Sequence, residues 1–502
     1  METFFTQAKT LTANSFAENK KSLQKINAIH LLLGLAVLQL GITFLTYQKT
    51  LSFDEAMWQY IGRNWFRNGL QPYTGGVDNK SPLIFALFGF SDKLFGVNYW
   101  FPRIIGICFQ SIGIYFTGKI AEYYAGRKAG LLAVVIYGLS LLWHATGGKY
   151  VSYTETFSVA LSITSFYFAI TAQGNNNILV SGILSGIAVA FRLTACFSVW
   201  AILIHLISKR RNVLVYLSGL LTSIVVLLLI FYLCKIHPGD LYANMLTDNF
   251  TSGSVSDHSL QWRFNSLADH VLKSQLILFL PVLFFSFLSR RINGSITIWL
   301  ICEFIGISII GLYSNQHFKN ILPQLSLLAA FLITFLINRY KISLVLTIAI
   351  TCILFFPKTT EPIFVLKDIF IKHNQTRISY TQNQNIQPDE DGKKELGLWI
   401  RSNTSPNDKV LIAGYGAISQ AYSERISPTI YFNVTQTVIA KQKFFEELTN
   451  EKPFMIAIPN FIEYNKTVSA DIREFIQQLA STDYTLNTHA YGYLIYLKNN
   501  FE

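Results

Sequence analysis

The sequence predicts a polytopic α-helical membrane protein with about 11 transmembrane helices, interfacial helices in the first outer loop, and a C-terminal extracytoplasmic α/β domain. Of its 502 residues, 51% are hydrophobic and only 14% are charged, whereas an ordinary soluble protein has about 25% charged residues. Long apolar segments recur through residues 1–357, and basic residues cluster in every second connection between them. The same composition excludes intrinsic disorder, and five cysteines exclude a disulfide scaffold.

Eleven segments are read as membrane spans, each of which needs about 20 mostly apolar residues. The first is too long for a signal peptide and has no small-residue cleavage site after it. The spans cover approximately residues 27–46, 101–119, 129–145, 153–172, 178–192, 194–208, 213–234, 274–289, 294–313, 320–337 and 342–357.

The charges in the connections predict the orientation of the chain. The basic set comprises Lys20, Lys21, Lys25, Lys119, Arg127, Lys128, Lys209, Arg210, Arg211, Arg290, Arg291, Arg339 and Lys341. The opposite set holds Asp54, Glu55, Asp78, Asp92, Glu155, Asp240, Asp248, Asp257 and Asp269. The positive-inside rule makes the basic set cytoplasmic. The N-terminus is then inside and, after eleven spans, the C-terminal segment is outside a bacterial plasma (inner) membrane.

The net charge of +12 belongs wholly to the apolar part of the chain. Residues 1–357 carry a net charge of +13 and residues 358–502 a net charge of −1. Basic residues between apolar segments set membrane topology, so we expect no nucleic-acid partner.

The first outer loop contains two further apolar segments. Residues 55–68 place apolar side chains at near-helical spacing, with Arg63 and Arg67 on another face. This pattern predicts an amphipathic helix lying on the membrane surface. Residues 83–95 are too short to span and predict a second interfacial helix or a re-entrant segment.

The chain divides into three predicted regions. Residues 1–357 form the membrane domain, the polar residues 358–394 a linker, and residues 395–502 a small α/β domain. Within the last region the pattern predicts helices over 395–403, 436–450 and 468–480, and strands over 409–414, 428–433, 454–458 and 484–498. Gly414, Tyr415 and Gly416 are read as a plain turn because the third glycine of a nucleotide loop is missing.

Two adjacent acids, Asp54 and Glu55, follow the first span and open the predicted interfacial helix. Adjacent helix positions point about 100° apart, so both cannot face one site equally. We expect one of them to enter a cleft and the other to cap the helix N-terminus, where the helix dipole favours an acid. The alternative is that both only cap the helix.

A polar segment of the same loop carries Tyr73, Asp78 and Lys80. In an extended chain Asp78 and Lys80 point the same way, and Pro82 keeps Ser81 extended. A carboxylate beside an ammonium at the membrane surface predicts a site that binds a phosphate-bearing lipid and organises a metal or a hydroxyl. The alternative is a surface ion pair, which stabilises little.

Ionisable residues also lie at the outer ends of later spans. Glu155 opens the fourth span, and an ionisable residue there indicates a functional site. His317 and Lys319 lie between the ninth and tenth spans and would suit a phosphate leaving group. The alternatives are a snorkelling acid and an interfacial anchor. Arg192 and Arg263 are further phosphate candidates, with topology and solvation as the favoured readings.

Glu303 lies inside the ninth span, where a charge is unfavourable, and should pair with another group that the sequence does not identify.

The order of these residues resembles the multi-spanning glycosyltransferases of the C-type fold, in the branch of the protein O-mannosyltransferases and the lipid A aminoarabinose transferases. The resemblance covers roughly residues 27–340, and Ser81 stands where relatives often have a second proline. The matching residues are Asp54-Glu55, Pro72-Tyr73, Asp78-Asn79-Lys80-Ser81-Pro82, Phe95-Gly96, Arg103, Tyr153-Thr154-Glu155, Phe318 and Leu322-Pro323.

The resemblance implies an inverting transfer of a sugar from a polyprenyl-phosphate donor to an acceptor hydroxyl on the outer face of the membrane. It implies that Asp54, within the catalytic group Asp54, Glu55 and Glu155, is the general base. Asp78, Glu155 and Tyr73 would position the acceptor, and Asp78 and Glu155 could hold a divalent cation that these residues do not require. The donor phosphate would be bound by Lys80, His317, Lys319, Arg192 and Arg263.

Two other classes of protein remain open. One is a lipid-linked sugar flippase or a polysaccharide polymerase, which would more naturally carry charges inside its spans. The other is a non-enzymatic transporter, which should show repeated halves with broken helices. The sequence leaves the sugar open, and it leaves the acceptor open among lipid A, other glycans and protein hydroxyls.

Overall fold

Helices dominate the structure, a computed structural model that describes residues 28–45, 50–143, 150–248, 259–288, 293–357, 388–435 and 439–499. The α-helices of the first 357 residues are α1 (Ala28–Leu45), α2 (Phe53–Asn68), α3 (Pro82–Phe95), α4 (Trp100–Ala125), α5 (Arg127–Ser140), α6 (Thr154–Thr171), α7 (Asn175–Phe191), α8 (Cys196–Ser208), α9 (Val213–Leu233), α10 (Pro238–Tyr242), α11 (Leu260–Lys273), α12 (Leu276–Leu288), α13 (Gly294–Ile310), α14 (Leu322–Tyr340) and α15 (Leu344–Phe355). Two 3₁₀ segments, Leu193–Ala195 and Asn315–Asn320, and a π-helix, Ala243–Thr247, lie between them.

Each of the eleven predicted spans coincides with a helix, namely α1, α4 to α9 and α12 to α15. Among the described residues, α4, α9 and α14 are long and apolar enough to cross a membrane. The pair α11 and α12, bent by 94°, adds a fourth span if it counts as one. Several apolar spans are therefore confirmed, whereas the number eleven and the orientation stay predictions.

The two helices predicted in the first outer loop are present as α2 and α3, and they cross in direct backbone contact. A Cβ atom on Gly62 would lie 2.4 Å from the carbonyl oxygen of Phe85 and 2.4 Å from the amide nitrogen of Gly89. A Cβ atom on Gly89 would lie 2.5 Å from the carbonyl oxygen of Gly62. Only glycine fits at both positions, and the crossing fixes α2 against α3.

The prediction that α2 lies on the membrane surface is wrong. All its residues from Glu55 to Asn64 are buried in the protein. Arg63, expected on the polar face, is 5% exposed and pairs with Asp92 at 2.7 Å between Nη2 and Oδ2. Its Nη1 also donates to the carbonyl oxygen of Ala421 at 3.2 Å. The C-terminal region therefore covers the face that the pattern assigned to water and headgroups.

The C-terminal residues form a small mixed sheet with helices, which confirms the predicted α/β class. Strands β1 (Val410–Ile412), β2 (Met455–Pro459), β3 (Tyr484–Ala490) and β4 (Tyr493–Lys498) lie in the order β1-β2-β4-β3. The first pair is parallel and the other two are antiparallel. The helices are α16 (Glu390–Ser402), α17 (Ala417–Ser423), α18 (Lys441–Asn450), α19 (Ile462–Thr467) and α20 (Ala470–Asp483).

The predicted strand over 428–433 is wrong, because the described residues there form no strand. These residues contact α2 and the segment between α2 and α3 instead. The ring of Phe432 lies 4.2 Å from that of Tyr60, and the carbonyl oxygen of Ile430 accepts from the amide of Val77 at 3.1 Å.

Two predicted boundaries also change. Helix α16 begins at Glu390, inside the predicted linker, and residues 358–387 of that linker lie outside the described residues. The helix predicted over 436–450 begins at Lys441, and residues 436–438 lie outside the described residues.

Hydrogen bonds join the C-terminal region to the start of α2. The hydroxyl of Tyr422 accepts from the amide of Leu51 at 3.3 Å and from the hydroxyl of Thr50 at 3.2 Å. The amide of Ser427 donates to the hydroxyl of Tyr60 at 2.9 Å. These bonds tie α17 and the following loop to the helix that carries Asp54.

Candidate active site

The N-terminus of α2 separates its two adjacent acids. Ser52 is the N-cap residue, and its amide donates to Oε2 of Glu55 at 2.8 Å. This bond is one half of a capping box and turns Glu55 back towards the cap. The structure therefore identifies Glu55 as the capping acid, and the expectation that Asp54 enters a site stays a prediction.

Glu55 is fully engaged in structural contacts. Arg103 on α4 donates to both of its carboxylate oxygens, with Nε at 3.0 Å from Oε1 and Nη2 at 2.7 Å from Oε2. The hydroxyl of Ser152 donates to Oε1 as well. Burial works against the charge, but the charge and hydrogen bonds of Arg103 hold the pKa of Glu55 below its usual value. This geometry favours a positioning role for Glu55 and not the catalytic role that the sequence suggested.

Asp54 has a different environment from its neighbour. Burial of its carboxyl raises its pKa to about 6, while the positive charge of Lys80 acts in the opposite direction. The negative charges of Asp78 and Glu155 raise the pKa further, and a hydrogen bond with Tyr153 lowers it. Asp54 is also partly exposed, and a partly exposed carboxylate with a pKa near neutrality is suited to accept a proton.

Glu155, in the first turn of α6, collects basic side chains from two other elements. Nη1 of Arg192, which follows α7, lies 2.6 Å from Oε1 of Glu155. Nε2 of His317 lies 3.9 Å from the same oxygen. The hydroxyl of Thr154 donates to Oε2 at 3.1 Å. The residues predicted separately at three span ends therefore meet at one place.

The 3₁₀ segment before α14 brings His317 and Lys319 into the same group. Nζ of Lys319 donates to the carbonyl oxygen of Tyr150 at 2.5 Å and to the hydroxyl of Thr156 at 3.0 Å. Burial lowers the pKa of Lys319 to about 7, against the opposing effect of Glu155. Burial and the charge of Arg192 lower the pKa of His317 to about 3. This shift favours the neutral form of His317 at pH 7 in the site without a bound anion.

His317 nevertheless keeps hydrogen-bonding capacity. Its Nδ1 is buried and has no hydrogen-bond partner among the described residues. A buried ring nitrogen without a partner is costly unless a ligand supplies one. The neutral imidazole can therefore donate to, or accept from, a bound substrate.

The segment between α2 and α3 is held by hydrogen bonds around Asp78 and Lys80. Nε1 of Trp58 donates to Oδ2 of Asp78 at 2.8 Å, and the amide of Asn79 donates to Oδ1 at 2.7 Å. Nζ of Lys80 donates to the side chain of Asn79. The hydroxyl of Tyr73 donates to the carbonyl oxygen of Lys80 at 2.7 Å. Tyr73 therefore orients Lys80, whose positive charge acts to lower the pKa of Asp54.

Arg263 lies apart from these contacts. Its guanidinium packs over Gly311, where a Cβ atom would lie 2.6 Å from Nη1. Gly311 ends α13 with a φ of 68°, a conformation that favours glycine. Within the described part of the chain, Arg263 has no ion pair with Asp54 or Glu155, so its predicted phosphate role gains no support from the geometry.

The residues suggested for a divalent cation do not fit one. No group of three or more His, Cys, Asp or Glu side chains converges on a metal position in the described ranges. Asp78 accepts from Trp58 and Asn79, and Glu155 is paired with Arg192. We therefore assign no step to a metal.

The partner of Glu303 is identified by the structure. The hydroxyl of Ser198 donates to Oε1 of Glu303, and Nδ2 of Asn320 donates to Oε2 at 3.1 Å. Asn320 is the last residue of the 3₁₀ segment that carries His317 and Lys319. Glu303 therefore fixes this segment against α13. Ser152, Thr156 and Asn320 were missed by sequence reasoning, because single hydroxyl and amide side chains carry no spacing signal.

The assembled group can perform a displacement at an electrophilic centre. Asp54 can accept a proton, Lys80 presents positive charge to Asp54, and Arg192 and Lys319 present positive charge to Glu155. Such preorganised charge stabilises an anionic leaving group in a site with little water.

Comparisons with known proteins relate this chain to sugar transferases. Residues 79–234 match the family described as dolichyl-phosphate-mannose-protein mannosyltransferase. The structure is similar to ArnT from Cupriavidus metallidurans bound to undecaprenyl phosphate, with a TM-score of 0.64, 13% identity, and coverage of 94% of this chain and 98% of that chain. The apo state of the same protein gives a TM-score of 0.62 at 12% identity, with 93% and 97% covered. No curated protein sequence matches the chain.

Proposed function

We propose that this chain moves a sugar from a polyprenyl-phosphate donor to an acceptor hydroxyl. The premise is that it is a membrane glycosyltransferase related to the dolichyl-phosphate-mannose-protein mannosyltransferases and similar in fold to ArnT. The transfer inverts the anomeric carbon and takes place on the outer face of the cell membrane. The observation that carries the proposal is the half-buried carboxylate of Asp54 beside a cluster of basic side chains.

Asp54 acts as the general base in this proposal. With a pKa of about 6 it is mostly ionised at neutral pH, and it remains basic enough to accept the proton of a hydroxyl as that oxygen attacks. The acceptor oxygen forms a bond to the anomeric carbon. The bond from that carbon to the phosphate oxygen breaks, and both of its electrons leave with the polyprenyl phosphate.

The basic cluster holds the donor phosphate. The ArnT structure contains undecaprenyl phosphate, and a lipid phosphate of this kind is the donor carrier that we propose for this chain. Lys80 and Arg192 are only partly buried, so they can reach a phosphate at the mouth of the site. Lys319 is 1% exposed, and a bound phosphate would raise its pKa and so keep its amine fully protonated. Charge-assisted hydrogen bonds of this type are about twice as strong as neutral ones.

Glu155 keeps this cluster in place. Its pairing with Arg192 prevents the arginine from turning away when the site is empty. Its charge also favours the protonated form of Lys319. Asp78, bonded to Trp58 and Asn79, orients the segment that presents Lys80 and lines the acceptor side of Asp54.

The test is the variant Asp54→Asn in the full chain, purified in detergent and supplied with polyprenyl-phosphate sugars and envelope lipid acceptors. Loss of one catalytic base reduces turnover by roughly 10²- to 10⁴-fold. Mass spectrometry of the products should show no transfer by the variant, while its unfolding temperature stays that of the wild type. Near-normal turnover would remove Asp54 as the base.

The sugar and the acceptor are identified by a different experiment. Mass spectrometry of envelope glycans, glycolipids and proteins from a deletion strain should reveal one sugar missing from one acceptor. Restoration by the wild-type chain but not by Asp54→Asn would assign that modification to this site.

A further inference from the structure

A buried lysine in the C-terminal domain has no carboxylate within ion-pair distance among the described residues. Lys393, in the first turn of α16, is only 8% exposed. Within the described ranges, its ammonium group makes no hydrogen bond or ion pair and lies 5.3 Å from the centre of the Tyr415 ring. Burial lowers the pKa of Lys393, and the charges of Glu390 and Asp389 act in the opposite direction from beyond ion-pair distance.

In an empty site, this arrangement leaves the N–H donors of Lys393 without a protein acceptor in the described part of the chain. Most of the side chain is buried, but its ammonium nitrogen is not one of the fully buried unpaired atoms of the described residues. The face of Tyr415 supplies a cation–π contact, which is worth only about 0.5–2 kcal/mol. Two or three N–H donors of Lys393 therefore remain available for an acceptor that the described residues do not provide.

The lysine is connected to the catalytic end of α2 through two aromatic rings. The ring of Tyr415 packs edge-on against the ring of Phe53, with their centres 5.7 Å apart. Phe53 directly precedes Asp54, and both Phe53 and Tyr415 are partly exposed. The two rings and the ammonium thus form a continuous surface that begins beside the proposed base.

This surface is separate from the donor cluster. Lys80 and Glu155 influence Asp54, and Arg192 and Lys319 contact or influence Glu155. Lys393 instead responds only to acids of its own helix turn. It belongs to the C-terminal domain, whereas the donor cluster belongs to the membrane domain. A ligand group on Lys393 is therefore not the donor phosphate.

We propose that Phe53, Tyr415 and Lys393 form an acceptor subsite for a sugar that carries an anionic group, either a phosphate or a carboxylate. The apolar ring faces contact the sugar, and Lys393 binds the anionic group by charge-assisted hydrogen bonds. The accepting hydroxyl then lies near Asp54. This inference rests on the proposed function, since it takes Asp54 as the base.

The subsite also gives the C-terminal domain a role in specificity. The hydrogen bonds of Tyr422 with Thr50 and Leu51 fix the domain against the start of α2. Gly414, with a φ of 74°, forms the turn that presents Tyr415. The domain therefore supplies one wall of the site on which the membrane domain performs the chemistry.

The experiment measures binding and not transfer. The full chain in detergent is titrated with methyl hexopyranosides in three matched forms, namely the neutral glycoside, its 6-phosphate and the corresponding uronide. One charged hydrogen-bonded contact corresponds to roughly a 10- to 100-fold change in Kd. We expect the wild type to prefer at least one anionic form by that factor, and the preferred form distinguishes a phosphate from a carboxylate.

Variants locate that preference. Lys393→Gln should abolish it, and Lys393→Arg should retain it. Lys394→Gln is the matched control, because Lys394 is the adjacent lysine and contacts a different ring, that of Tyr422. The control should bind like the wild type. If Lys393→Gln unfolds, Tyr415→Leu, which removes the ring contact, should weaken the binding of all three forms.

Three results would overturn the subsite. They are equal binding of the three forms by the wild type, an unchanged preference in Lys393→Gln, and a preference lost in Lys80→Ala but kept in Lys393→Gln. The last would place the anion at the donor cluster. Asp54→Asn should keep the preference, so a failure of the proposed base and a failure of the subsite give different results.

Discussion

Two groups of charged side chains, one around Glu55 and Asp92 and the other around Asp54 and Glu155, differ in how completely their charges are paired. In the structural group, Glu55 is paired with Arg103 through two hydrogen bonds, and Asp92 is paired with Arg63 and Arg67. In the second group, which we propose to be the catalytic group, Asp54 has a raised pKa and Lys319 has no carboxylate within ion-pair distance in the described part of the chain. Fully paired charges join helices, and incompletely paired charges remain available for a substrate.

This difference has a consequence for stability and activity. Breaking a pair in the structural group should unfold the protein. Removing a charge from the catalytic group should stop the reaction and leave the fold intact. Changes in the two groups should therefore have different effects, on stability in the first group and on activity in the second.

The largest effect is expected for Arg103→Ala. The variant leaves the buried carboxylate of Glu55 without its partner, and such a loss costs about 3–5 kcal/mol. Thermal unfolding in detergent should show a strongly destabilised or poorly inserted protein. Replacing both partners with apolar residues, as in Glu55→Leu with Arg103→Met, should recover part of the lost stability. An Arg103→Ala protein with the wild-type unfolding temperature would contradict the structural assignment.

Lys319→Met should produce the opposite pattern. Turnover should fall by roughly 10²- to 10³-fold, because one preorganised group that stabilises the leaving phosphate is gone. The unfolding temperature should stay the same or rise, since an incompletely paired buried cation has been removed. Lys319→Arg is the control that retains a charge. A loss of stability as large as that of Arg103→Ala would place Lys319 in the structural group.

Lys80→Ala should have a smaller effect, confined to the donor. Lys80 is half-buried, and its contribution to phosphate binding is worth about 1.5–3 kcal/mol. Steady-state kinetics should therefore show the KM for the polyprenyl-phosphate sugar raised by roughly 10- to 100-fold, with the KM for the acceptor unchanged. An unchanged apparent affinity for the donor would exclude the phosphate role.

Glu303→Gln should have the smallest effect. It removes one of the two hydrogen bonds through which Glu303 holds Ser198 and Asn320. A bond of this kind is worth about 1 kcal/mol, so turnover should fall only severalfold as the 3₁₀ segment shifts. Wild-type turnover in this variant would show that the segment does not depend on Glu303.

Much of the fold and the main site acids could be predicted from the sequence. Apolar segments located the helices of the eleven predicted spans together with α2 and α3, because hydropathy is a local property. Helices α10 and α11 were not predicted. Asp54, Asp78 and Glu155 stood out because acids are scarce in residues 1–357 and because their order resembles a known family. The structure brings these residues, with His317 and Lys319, into one group.

The errors have a common physical cause, which is pairing across long stretches of chain. Arg63 was assigned to a polar face of α2 because its two partners, the carboxylate of Asp92 and the carbonyl oxygen of Ala421, are remote in sequence. Residues 428–433 have the composition of a strand, but Phe432 packs on Tyr60 instead. The different contacts of Asp54 and Glu55 likewise depend on Arg103, whose pairing with Glu55 a local sequence pattern does not reveal.

The central claim is that Asp54 is the base and that neighbouring charges set its pKa. The measurement is the pH dependence of kcat/KM for the wild type, Lys80→Ala and Asp78→Asn. In the wild type the rate should fall as the pH drops through about 6, because protonated Asp54 cannot accept a proton. It should also fall above about 7 as Lys319 loses its charge.

The two variants should move the acid limb in opposite directions. Lys80 lowers the pKa of Asp54 and Asp78 raises it. The limb should therefore move to higher pH in Lys80→Ala and to lower pH in Asp78→Asn. An acid limb that is absent, or that stays at the same pH in both variants, would contradict the assignment of Asp54 as the catalytic base.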